Sequence, residues 1–291
     1  MKYKLTHKTI YAYSEQAALS QNELCLFPRN TNQQTCIDSK IRINPKPSIL
    51  DHTVDYFGNN IHNFMVKYPH DTLDITSESV VETNDAPLID AASTLYWESA
   101  RDIIHAHQTL EDLDAYQYIF PSDFIHFNPE ITEYARVSFY PNRPILEAAL
   151  DLTERIFNEF TYDKNATKIG TPIMDVLKNK KGVCQDFAHL QIASLRLLGL
   201  AARYVSGYIE TLPPPGEQKL IGADASHAWL SIYIPGIGWI DLDPTNNQIP
   251  GQQYVTVAWG RDYGDVTPVK GLIWGGGFHK LTVNVDLLSI H

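Results

Sequence analysis

The stretch GVCQDFAHLQIASLRLLGLAARYVSGY, Gly182–Tyr208, decides how the chain is read. Phe187, Leu190, Ala193 or Ser194, Leu197 and Leu198 recur at helical spacing, and Gly199 stands where a helix end favours a left-handed glycine. After it the period changes to two. AARYVSGYIE, HAWLSIYI and GWIDLD read as strands. An amphipathic helix followed by consecutive strands describes an α+β unit with a mostly antiparallel sheet. Cys184 opens that helix, two residues after Gly182. The free N–H groups and partial positive charge of a helix start favour a thiolate, the nucleophilic form of cysteine. Gly182 lets the chain turn tightly there and leaves room for a substrate backbone. On the helix alone, a packed free cysteine is the competing reading.

Upstream of this stretch the helical signal begins at Pro144, which suits a first helical turn. Ile145, Ala148, Ala149, Leu152, Ile156 and Phe160 follow at three- and four-residue spacing, and a short helix is expected from Ile173 to Lys180. Residues 1–85 read as a β-rich N-terminal domain. Tyr3, Leu5, His7, Tyr11 and Tyr13 share one face, Ile37, Ile41 and Ile43 another, and Gly58-Asn59-Asn60 turns between two alternating runs. Short strands with turn signals between them suggest a small β-sandwich. Residues 86–143, broken by Pro121 and Pro129, read as a connector packing on both domains, and 144–291 as the catalytic domain, ending in the strand KLTVNVDLL.

The chain's 291 residues suffice for two cores. Its net charge is −11, and its densest basic group is Lys178, Lys180 and Lys181, so nucleic acid is not an expected partner. The start has no apolar signal-peptide core, and no run approaches the ~18–20 apolar residues of a membrane span. With three cysteines, Cys25, Cys36 and Cys184, these features point to the reducing cytoplasm.

An activated cysteine needs a base. His227 opens a strand in DASHAWLSIYI, where a side chain projects from a sheet. The next strand, GWIDLDPT, carries Asp241 and Asp243 on one face. A carboxylate is the best partner to orient a neutral imidazole whose other nitrogen takes the thiol proton. Trp229 and Trp259 either line a substrate channel or fill core. Asp186 suits the helix dipole, and His189, five residues after Cys184, lies on a different face from it and reads as packed or capping. Arg261, Asp262 and Tyr263 read as a charge pair pinning a loop under the site. Trp274-Gly275-Gly276-Gly277 reads as a flexible flank to the cleft.

The strings GVCQDFAH, RLLGLAARYVSGY, DASHAW, GWIDLDPTNN and GRDYGDVTPVKG, with LFPR and DYFGN nearer the start, resemble the transglutaminase-like superfamily of papain-type cysteine enzymes. More closely they resemble its bacterial two-domain branch, described as cysteine proteases. The resemblance implies a helix bearing the cysteine packed on an antiparallel sheet, with Cys184 as nucleophile, His227 as base and Asp243, four residues after Trp239, as acid. It departs from the eukaryotic transglutaminases, whose cysteine follows Gly-Gln and precedes Trp. Here Val183 and Gln185 take those places, which bears on cross-linking activity rather than on the triad. The expectation is a cysteine-dependent acyl-transfer enzyme acting on peptide or amide bonds, hydrolytic in preference to transamidating, with no cofactor or metal. The competing expectation is a non-catalytic domain that binds a protein partner.

Overall fold

The computed structural model describes residues 1–211 and 226–290. The chain begins with strands β1 (Lys2–Leu24), β2 (Gln34–Asn44), β3 (Ile49–Val54), β4 (Asn60–Val66) and β5 (His70–Thr83). Helices α1 (Trp97–Ala106), α2 (Leu110–Tyr116), α3 (Pro129–Arg136) and α4 (Ile145–Glu159) follow. Then come β6 (Thr161–Tyr162), α5 (Ile173–Asn179), β7 (Lys181–Gly182) and α6 (Cys184–Leu197). The rest is β8 (Ala202–Ile209), β9 (Ser226–Ile234), β10 (Gly238–Leu242), β11 (Tyr254–Gly260), β12 (Val269–Gly275) and β13 (His279–Ser289).

The N-terminal sheet is organised by β1. Its first half runs between β5 and β13, its second half between β4 and β12, with a break in register between Ala12 and Ala17. Leu24, Phe64 and Val66 from one half and Leu73 and Ile75 from the other pack into one cluster, as two faces of a sandwich do. The alternation of Tyr3, Leu5 and His7 is kept, all three being buried. Ile37 leaves the face shared by Ile41 and Ile43. The register of β2 slips between Cys36 and Asp38, and the bulged Ile37 is half exposed.

Two expectations about the chain's end are corrected. KLTVNVDLL does not join the sheet of the strands that follow Gly199, because β13 pairs with β1 along Tyr3–Tyr13, whose backbone groups would otherwise lie unpaired. The three glycines are no loose flank. Gly275, Gly276 and Gly277 have φ of +84°, +81° and +59° and turn the chain from β12 into β13, held by bonds between Gly276 and the backbone of Glu15 and Gln16. The connector is also more helical than its prolines suggest. Pro129 starts α3 instead of breaking it, behind an Asn128 side chain that accepts from Glu130 N–H at 2.9 Å.

The C-terminal four-stranded sheet has the order β10-β9-β8-β11, antiparallel throughout. Helix α6 lies on β8 and β9, with α3, α4 and α5 against it. It is therefore buried from Asp186 to Arg196, not amphipathic, and its polar residues find internal partners. Gln191 donates to Ala149 O and Thr153 Oγ1, and Arg196 to Ala202 O and Arg261 O. Such burial is tolerated because most of these polar groups are matched, Gln191 Oε1 being a buried exception. A glycine sets the closest approach in the sheet. A Cβ at Gly207 would stand 2.1 Å from Val255 O and 2.6 Å from the Trp229 ring. Gly207→Ala is expected to lose about 1–3 kcal/mol, the usual penalty of overpacking, read as a lower denaturant midpoint with an unchanged slope.

Candidate active site

Cys184 is the first residue of α6 and is half-buried. The loop before it is held by Asp186, whose carboxylate accepts from Val183 N–H at 2.9 Å and from Thr167 Oγ1 at 2.6 Å. Burial raises the pKa of that carboxyl group, while both hydrogen bonds oppose the rise. The first-turn N–H groups of Cys184 and Gln185 have no intrahelical carbonyl to bond. Gly182 serves this turn differently from the expectation. The space a side chain would take there is filled by Asp186, whose Cβ and Oδ2 would both lie 2.9 Å from an added Cβ. The glycine makes room for the carboxylate that braces the helix start, not for a substrate.

His227 comes from the second residue of β9 and Asp243 from the residue after β10. Ile234 pairs with Gly238, so Pro235, Gly236 and Ile237 form a three-residue loop, and Leu230 pairs with Leu242. This odd loop length puts the two side chains on one face. His227 Nε2 donates to Asp243 Oδ2 at 2.7 Å. Cys184 lies near enough to act on the imidazole. Burial pushes His227 toward the neutral form, but the hydrogen bond and charge of Asp243, with the nearby Cys184, outweigh it and raise its pKa to about 10. Asp243 is fully buried, which favours its neutral form, yet its donors hold its pKa below the usual carboxylate value.

Those donors include groups the sequence reading missed. Asn246 Nδ2 donates to Asp243 Oδ2 at 2.7 Å, Tyr254 OH to the same oxygen at 2.6 Å, and Thr245 N–H to Oδ1 at 2.8 Å. The Asp-Pro-Thr-Asn run carried a signal for the turn, since an aspartate often accepts from the backbone two residues on. Tyr254 carried none, because it arrives from β11 on the far edge of the sheet.

Asp241 shares the face but has different work. It accepts from Trp229 Nε1 at 2.9 Å and from Ser231 Oγ, beside the buried Arg203. Of the two readings left open for Trp229, its complete burial gives the core one. Trp259 lies between two guanidinium groups, Arg29 at 3.3 Å and Arg203 at 3.7 Å from its ring centre, so neither of its faces is open to a ligand. His189 is buried and accepts from Tyr263 N–H at 3.2 Å, with a pKa pushed down to about 3 by burial. Arg261 pairs with Asp265 at 2.9 Å instead of Asp262, which caps the turn by accepting from Gly264 N–H and Phe124 N–H.

A helix-borne cysteine packed on an antiparallel sheet, facing a histidine and a carboxylate on adjacent strands, defines a papain-like, transglutaminase-like core. Residues 3–82 match the bacterial transglutaminase-like N-terminal region, and residues 135–244 match the transglutaminase-like superfamily. An uncharacterised protein of Mycobacterium tuberculosis is 40% identical over 99% of this chain and 92% of its own length. A protein-glutamine gamma-glutamyltransferase of Pseudomonas aeruginosa is 31% identical over 34% of this chain and 15% of its own. A candidate cysteine protease from Cytophaga hutchinsonii has the same fold, with a TM-score of 0.76 at 22% identity over 100% of this chain and 92% of that one. The chain belongs to the transglutaminase-like superfamily, and that membership supports a cysteine-dependent enzyme in general. Among the described residues no helix is long and apolar enough to cross a membrane.

The His227 shift has a measurable sign. Its folded pKa lies above its unfolded value of ~6.5, so its contribution to stability is complete below that pH and is lost as the pH rises through about 10. Denaturant unfolding between about pH 7 and pH 10 should show a steeper loss for the wild type than for His227→Gln. Parallel curves would mean that the imidazole carries no extra charge in the folded state.

Proposed function

We propose that the chain is a cysteine-dependent acyl-transfer enzyme acting on peptide or amide bonds, with Cys184 as nucleophile, His227 as general acid and base, and Asp243 as the orienting carboxylate. The observation that carries this reading is the buried His227–Asp243 hydrogen bond, with a half-buried cysteine at a helix start near enough to shift the same imidazole's pKa. The Cys184 sulfur adds to the substrate carbonyl carbon, and the carbonyl electron pair moves onto oxygen. The Cys184 N–H is a donor placed for that oxyanion; in such sites one donor is worth about 3–4 kcal/mol. Collapse expels the amine, which takes its proton from His227 and leaves a thioester on Cys184. Neutral His227 then accepts a proton from water or from an acceptor amine as it attacks the thioester, and Cys184 is released.

Water is the favoured acceptor, giving a peptidase or amidase. The stretch shared with the glutamyltransferase supports an amine acceptor as the second reading. Substrates on either reading are peptides or proteins. The three free thiols suit a reducing compartment, and we assign the cytoplasm.

The test is turnover of a peptide and glutamine-amide library, with and without an added amine. Cys184→Ala should be inactive, and Asp243→Asn should lose roughly 10²–10⁴-fold in turnover while staying folded. Product mass distinguishes hydrolysis from amine transfer. Brief iodoacetamide treatment at about pH 6 should label Cys184 before the other two thiols. Burial lifts the Cys25 thiol to about 12 and raises that of Cys36. A folded protein whose Cys184 stays unlabelled, and which turns over nothing, is a binding module instead.

A further inference from the structure

The motifs LFPR and DYFGN lie outside the catalytic core, yet their side chains end on it. Strand β11 is the free edge of the catalytic sheet and carries Tyr254, which donates to Asp243. Its pairing with β8 slips between Thr256 and Ala258, leaving Val257 as an extra residue. Two amide side chains of the N-terminal domain bond the outer backbone on either side of that bulge. Gln34 Oε1 accepts from Thr256 N–H at 2.8 Å, and Gln34 Nε2 donates to Thr256 O at 2.7 Å. Asn59 Oδ1 accepts from Trp259 N–H at 3.0 Å, and Asn59 Nδ2 donates to Trp259 O at 2.8 Å. Asn59 is itself held by Asp55, through its own N–H at 2.7 Å and its amide at 2.8 Å. Arg29 donates to Phe57 O and Asn59 Oδ1 and lies flat on Trp259.

Thr256 and Trp259 are three residues apart. In a regular strand the edge-facing groups recur every second residue, so both present theirs outward only because the bulge adds one. The amides therefore fit this register and no other. A slip of one residue would turn Tyr254 to the opposite face of the sheet, away from Asp243. We propose that Gln34 and Asn59 form a clamp that fixes the bulged register of β11, and that through Tyr254 this clamp positions Asp243 and His227 for reaction. Gln34, Asn59 and Tyr254 are on this account positioning residues, and the N-terminal domain is a working part of the active site. The inference rests on the Cys184–His227–Asp243 reading above.

The test is the alkylation rate of Cys184 by iodoacetamide in the full chain, followed by mass spectrometry at about pH 6 and about pH 9.5. At the higher pH an ordinary thiol is largely ionised, so the ratio of the two rates reports the Cys184–His227 pair and cancels differences in access. Gln34→Met keeps the side-chain volume and removes both bonds to Thr256. Gln34→Met and Tyr254→Phe should each lower the ratio by about fivefold, the worth of one hydrogen bond. The double variant should fall no further than Tyr254→Phe alone, because the clamp acts through that hydroxyl. Gln34→Glu keeps the acceptor for Thr256 N–H and should retain part of the ratio, and it serves as the readout if Gln34→Met does not fold. A wild-type ratio in folded Gln34 variants, or losses that add in the double variant, overturns the clamp. His227→Ala separates the two ideas. If the ratio ignores His227→Ala, the triad reading fails and the clamp with it. If it responds to His227→Ala but not to the Gln34 variants, the clamp alone fails.

Discussion

The structure around the site is constrained by one buried carboxylate. Asp243 is fully enclosed, and an enclosed charge costs several kcal/mol unless hydrogen bonds replace its water. Four groups replace it here. His227 belongs to β9, Thr245 and Asn246 to the turn after β10, and Tyr254 to β11. Donors from three segments meet on one side chain only if the β9–β10 loop has its odd length, the turn closes back on itself, and β11 keeps its register. The turn does close, because Asp243 and Gln248 bond each other's backbone. The carboxylate thus imposes its geometry on elements far apart in sequence.

The same demand reaches the N-terminal domain. An edge strand such as β11 would present unpaired N–H and C=O groups. Side-chain amides cover them here without adding a strand, joined by the backbone N–H of Arg29, which donates to Thr256 O at 3.3 Å. The domain supplying those amides is itself tied to the rest of the chain. Strands β12 and β13 return from the part that carries the site and lie along β1. Further contacts tie the two parts: Tyr3 OH donates to Glu210 at 2.9 Å, and His7 Nδ1 and Tyr208 OH share a hydrogen bond of 2.7 Å. The N-terminal sheet therefore holds strands from both sides of the part that carries the site.

Local patterns explain what the sequence made legible. The helix at Cys184, strands β8, β9 and β10, and the shared face of His227 and Asp243 depend on periodicity and on one loop length, which are written in consecutive residues. The partners of β13 are not. KLTVNVDLL is a good strand beside any sheet, and its choice of β1 depends on an edge formed by residues almost the whole chain away. Ile37 was misplaced because a bulge leaves no composition mark. Gly182 was read correctly as a required glycine but for the wrong neighbour, since Asp186 bends back from the first turn of its own helix to fill the space. Tyr254 and Gln34 were invisible for the reason β13 was. Each acts across a contact that no spacing rule predicts.

The histidines show why residue type alone could not settle the base. Eleven are present. Burial favours the neutral imidazole at each enclosed one, and the partner decides whether that tendency stands. His7 meets two hydroxyl groups, Tyr208 and Thr9, and burial takes its pKa down to about 4. His62 is also lowered to about 4, by burial and then by His52. His189 accepts from a backbone N–H, which only a neutral ring nitrogen can do, and Asp262 nearby offsets too little of its burial to restore the charge. His227 is also enclosed, but a carboxylate lies 2.7 Å from one ring nitrogen and a cysteine nearby adds to its effect. There the ordering reverses, and the charged form is the stable one. A proton held on His227 beside Cys184 is what the proposed acid–base role requires, and His7 and His189 hold none. The same carboxylate that dictates the turn and the loop therefore sets this histidine apart from those two.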